Sequence, residues 1–122
     1  MEGFTNPQIV AIVKRFAKDQ DKLYKQFNVL KSRIDGTAQK IPLTSLSKVT
    51  PEVIGLLRKK TFDYSSTDCE YLTDRTYGLN IQSLKKHHTL EFRMFNGTIQ
   101  SDKIEKYIEW CLEFCLKACQ DE

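Results

Sequence analysis

Thr89-Leu90-Glu91-Phe92-Arg93-Met94-Phe95, closed by the turn dipeptide Asn96-Gly97, is the stretch on which the reading of this chain depends. Side chains along an extended strand alternate between faces. Leu90, Phe92 and Met94 then share a core side, while Thr89, Glu91, Arg93 and Phe95 share the other. A carboxylate and a guanidinium side by side at mid-strand are costly to desolvate unless they pair, bind a ligand or stay wet. Taken alone, a Glu two residues from an Arg on a strand reads as an ordinary ion pair.

Working outward, Gly78 to Ser83 forms a second short extended run, separated from the first by Lys85, Lys86, His87 and His88. Downstream, Ser101-Asp102 caps a last helix that runs nearly to the end. Its Ile104, Tyr107, Ile108, Cys111, Leu112, Cys115, Ala118 and Cys119 fall on one broad face expected to be core. Upstream, Asp63 to Asp74 is polar and turn-rich. Thr50-Pro51-Glu52 caps a short helix reaching about residue 61 despite Gly55, and residues 35–49 read as a connecting loop opened by Asp35-Gly36-Thr37. Asn6-Pro7 caps a long amphipathic helix from residue 7 to about 28, with Ile9, Ile12, Val13, Phe16, Leu23, Tyr24 and Phe27 at helical spacing. The fold class is α+β: one domain over 1–122, with a small antiparallel sheet packed against a long N-terminal helix, a short middle helix and a C-terminal helix.

With 122 residues, 40% apolar and 11% aromatic, the chain can build one core. No stretch approaches the roughly 20 apolar residues of a membrane span, and no secretion signal opens it, so a cytoplasmic protein is expected. Three of the four cysteines, Cys111, Cys115 and Cys119, lie on one helix; with Cys69 they read as reduced thiols rather than a disulfide framework. Residues 1–60 carry 12 Lys and Arg against 5 Asp and Glu, and residues 61–122 carry 7 against 11, so the halves are +7 and −4. That polarity reads mainly as solvated helix faces.

The residues Arg75-x-Tyr77-Gly78-Leu79-Asn80-Ile81-x-x-Leu84, followed by His87-x-Thr89-Leu90-Glu91-Phe92-Arg93-x-Phe95-x-Gly97-Thr98, resemble the late motif block of the amidoligase family. The likeness extends over most of residues 4–119. It implies half of a glutamine synthetase-like catalytic core, the C-terminal half, in ATP-dependent carboxylate-amine ligases. By this resemblance Glu91 would ligate an ATP-bound metal, and Arg93 and Arg75 would neutralise phosphate or substrate carboxylate. The residue types suit that chemistry: hard Mg²⁺ prefers carboxylate oxygen, and the planar Arg fork matches phosphate. The family's early strands, with further metal-binding acids and a His-x-His type motif, would precede residue 1. Glu91 alone cannot hold a nucleotide with its metal ions, so no cofactor is expected in isolation, and ATP with Mg²⁺ only if a partner completes a ligase.

Other chemistry-bearing residues have plainer readings. His87 and His88, adjacent on a loop without a matched Cys or acid, read as ordinary polar residues. Cys111, Cys115 and Cys119 continue an apolar stripe and read as core. Glu105, Glu109 and Glu113 form an acidic stripe at i, i+4 spacing on the face of the last helix opposite its apolar side, either a solvated face or a partner surface imitating phosphates. Arg58, Lys59 and Lys60 are the cationic candidates for a partner. The leading expectation is a non-catalytic interaction module, truncated from an amidoligase, with a phage or mobile-element inhibitor of a host defence nuclease, anti-CRISPR-like, as its narrower form. The alternative is a subunit of an amide-bond-forming ligase, and the weakest is a basic nucleic-acid binder. A protein partner is expected, with a homodimer as a further arrangement and no membrane. A sheet edge and an apolar face left bare are expected as well.

Overall fold

The computed structural model describes residues 4–59, 71, 77–82, 84, 90–95 and 101–120. Helix α1 (Asn6–Gln26) starts at a capping box. The Thr5 hydroxyl accepts from the Gln8 N–H at 3.3 Å, and Gln8 Oε1 accepts from the Thr5 N–H at 2.9 Å. The cap is therefore Thr5 and not the expected Asn6, which is already helical. Its apolar positions Ile9, Ile12, Val13, Phe16, Leu23 and Tyr24 are buried, as their spacing predicts. The helix ends at Gln26, and Asn28, with φ 49°, turns the chain toward the single turn α2 (Lys31–Ile34). Asn tolerates that left-handed conformation better than most residues.

Residues 35–49 are not the plain loop expected, because Leu43–Lys48 forms a 3-10 turn. Such a turn eclipses side chains three apart and leaves no apolar stripe to read. The segment is pinned to α1. Buried Gln20 donates to the Ile41 carbonyl at 3.0 Å and accepts from the Ile41 N–H at 2.7 Å, and the Tyr24 hydroxyl donates to the Ala38 carbonyl at 2.8 Å. Helix α3 (Pro51–Leu57) is capped by Thr50 as expected, its hydroxyl accepting from the Val53 N–H at 3.2 Å. It stops at Leu57, short of residue 61.

Strands β1 (Leu79–Asn80) and β2 (Glu91–Phe92) pair antiparallel, with Leu79 opposite Phe92 and Asn80 opposite Glu91. The direction is as expected and the lengths are shorter than the 78–83 and 89–95 runs. Asn80 Oδ1 accepts from the Gln82 N–H at 3.0 Å, an Asx turn that takes the chain out of the ladder. Gly78 marks a close approach: a Cβ there would strike the Tyr24 hydroxyl and crowd Phe16.

Helix α4 (Ser101–Gln120) is held by aromatic side chains. Trp110 stacks on Phe114 at 5.0 Å and Tyr107 stacks on Phe95 at 4.3 Å, while Phe16 of α1 meets Phe92 and Phe114 edge-on at 6.0 and 6.2 Å. Buried Cys115 and Ala118 complete the packed side. Phe95, assigned by alternation to the face away from the core, instead joins this cluster with Phe27. The broad face expected to be core is divided: Ile104, Ile108 and Leu112 are 42%, 57% and 53% exposed, and Leu116 with them is 55% exposed. The apolar arc is wider than the surface α1 and β2 offer, so only its aromatic half is covered. Among the described residues no helix is long and apolar enough to cross a membrane.

Candidate functional site

The two-residue ladder brings Glu91 and Arg93 together with residues far away in sequence. Glu91 Oε1 accepts from Asn80 Nδ2 and from Arg93 Nη1, each at 3.1 Å. Register places Asn80 directly opposite Glu91, and Asn80 is itself buried. Arg93 Nε donates to the Thr37 carbonyl at 3.0 Å, and its main chain is held twice more: its N–H donates to the Gly78 carbonyl at 2.7 Å, and its carbonyl accepts from Arg33 Nη2 at 2.6 Å. Arg33 Nε is buried without an acceptor among the described residues. The β1–β2 pair and the 33–39 segment thus form one polar cluster around Arg93. Side chains of Arg93 and Glu91 are 27% and 50% exposed, so the pair is screened by solvent and contributes little stability by itself.

A metal centre needs carboxylate oxygens free to face the ion. In this arrangement one Glu91 oxygen already accepts two hydrogen bonds, and a guanidinium sits 3.1 Å away, where it repels a dication. No group of three or more His, Cys, Asp or Glu that could hold a metal occurs among the described residues. As arranged, the residues do not fit an ATP-bound Mg²⁺, and Arg93 would first have to leave Glu91. Arg75, Lys60, Cys69, His87 and His88 lie outside the described residues.

Beside Glu91 runs a groove of about 410 Å³ between β2 and α4, lined mainly by Leu90, Phe92, Phe95, Ile104, Ile108 and Leu112. Its volume is that of an ordinary ligand pocket, but it is open and lined almost wholly by apolar groups. Burial pushes the thiols of Cys111 and Cys115 up to about 12, with the neighbouring thiols Cys115 and Cys119 adding to it respectively, so neither is a nucleophile near neutral pH. Burial likewise raises the Tyr24 hydroxyl far above its ordinary range, with Asp21 adding to it.

Glu105, Glu109 and Glu113 are exposed along α4, bordering the outward apolar ridge. Lys59 is exposed, while Arg58 is half-buried and donates to the Phe4 carbonyl at 3.0 Å, a structural tie between α3 and the start of α1. Thr37 and Arg33 were missed in the sequence because nothing local to them marks contacts 56 and 60 residues away. Asn80 was within reach, since antiparallel pairing of the two runs places a polar residue of one opposite Glu91 in the other. A family model described as "Putative amidoligase enzyme" matches residues 1–115. Neither the curated proteins nor the solved structures gave a match.

Proposed function

This chain belongs to the amidoligase family, and within it we propose that the polypeptide works as a non-catalytic interaction module that docks a protein through the outward side of α4. The observation that carries this reading is the ridge Ile104, Ile108, Leu112 and Leu116, four large apolar side chains 42–57% exposed in a row beside the β2–α4 groove. Apolar patches of this kind, edged by charge, mark interaction surfaces. The exposed Glu105, Glu109 and Glu113 give the ridge an acidic border, so a matching surface is apolar and edged by cations. The narrower role expected from the sequence, inhibition of a host defence nuclease, draws its support from that border, because a nucleic-acid groove is cationic. A cytoplasmic setting is supported by the free thiols of Cys111, Cys115 and Cys119. Glu91 and Arg93 then serve as a hydrogen-bonded network that fixes β2 against the 33–39 segment.

A second reading, a subunit of an ATP-dependent ligase, is favoured by the Asn80–Glu91–Arg93 cluster, whose half-exposed Glu91 lies at the groove. It requires another polypeptide to supply the remaining acids and Arg93 to turn toward phosphate. Calorimetric titration with ATP and Mg²⁺ separates the two. The first expects no saturable heat. Binding that weakens in Glu91→Gln or Arg93→Ala would replace it with the second.

A further inference from the structure

On the far side of α1 from β2 lies another groove, about 460 Å³, between α1, the start of α3 and the end of α4. Its floor is apolar, from Val10, Ala11 and Pro51, and its edge carries Lys14, Arg15 and Lys18. Arg15 is paired with Asp19 at 2.8 Å, whereas Lys14 and Lys18 are exposed. This is the counterpart of the α4 ridge in both properties: apolar surface meets apolar surface, and the Lys14–Lys18 edge meets the Glu109–Glu113 border. The polarity of the whole chain, +7 in residues 1–60 and −4 in 61–122, points the same way. Two α4 ridges facing each other antiparallel across a two-fold axis would set one acidic border against the other, which is unfavourable.

Resting on the docking reading above, we propose that the occupant of the α4 ridge is a second copy of this chain, seated head to tail in the cationic α1–α3 groove. Such a contact is heterologous, so an open assembly of any length keeps one free ridge and one free groove until a ring closes or growth stops.

Sedimentation velocity of the full chain tests it, over a concentration series at roughly 50 mM and 500 mM salt, between which the Debye length shrinks several-fold. Mass is expected to rise with concentration and to fall at high salt. The paired reversals Glu109→Lys with Glu113→Lys, and separately Lys14→Glu with Lys18→Glu, are each expected to weaken association by roughly tenfold or more. An equimolar mixture of the two reversed proteins is expected to associate again, since every ridge then has a groove of opposite sign. All four positions are exposed, and circular dichroism checks that the fold is kept. A protein that stays monomeric throughout, or association indifferent to the reversals, overturns self-docking. So does a Glu109→Lys, Glu113→Lys protein that pairs with the unaltered chain while the Lys14→Glu, Lys18→Glu protein associates normally, the pattern of two facing ridges. None of these results bears on the calorimetric titration, which judges the non-catalytic reading separately.

Discussion

At Gly78 a single hydrogen decides how closely the chain leading into β1 packs on α1. A methyl group there would meet the Tyr24 hydroxyl and Phe16, so Gly78→Ala is expected to destabilise by roughly 1–3 kcal/mol, read from the denaturant midpoint at unchanged slope. Tyr24→Phe removes the atom the methyl would strike, and is expected to cost less in the Gly78→Ala background than in the unaltered chain, the mark of two residues in contact. Cys111 and Cys115 give a pH signature. Their folded thiols are pushed from an ordinary 9.0 up to about 12, so between those values the unfolded chain releases protons that the folded chain keeps. Stability is therefore whole below pH 9 and declines as pH rises toward 12. Replacing both by Ala should flatten that decline in thermal melts relative to the unaltered chain, and an unchanged slope would exclude the thiols as its source.

Among the elements, α4 is where sequence and structure part company. Its periodicity correctly marks an amphipathic helix, yet the same pattern cannot say which half of a wide apolar arc meets the core. The aromatic half wins because Tyr107, Trp110 and Phe114 meet the rings of Phe16, Phe27, Phe92 and Phe95, while Ile104, Ile108, Leu112 and Leu116 stay 42–57% exposed. Leu112→Glu is accordingly expected to change stability by no more than about 0.5 kcal/mol, and Phe114→Ala to cost about 2 kcal/mol or more. Equal losses would show that the ridge packs inward. Helices α1 and α3 were legible because Pro in the first turn and the apolar spacing are local signals, joined at α3 by the Thr50 cap. The 3-10 turn at 43–48 was not, since it has no apolar stripe and the chain just before it, at Ala38 and Ile41, is held by Gln20 and Tyr24 reaching across from α1. At the site, the Glu91–Arg93 pair follows from period-two spacing, whereas Thr37 and Arg33 come from the tertiary fold.

Over the whole molecule, family membership and activity are separate statements. The family match covers residues 1–115, and within that span the β1–β2 pair brings Glu91 and Arg93 into contact with each other. What remains outward is a ridge and a groove of opposite charge. The most direct test of the central claim is release of inorganic phosphate from ATP by the purified chain, with Mg²⁺, a carboxylate and an amine supplied together. The expected result is no release above the protein-free rate. Sustained turnover that Glu91→Gln abolishes would contradict it.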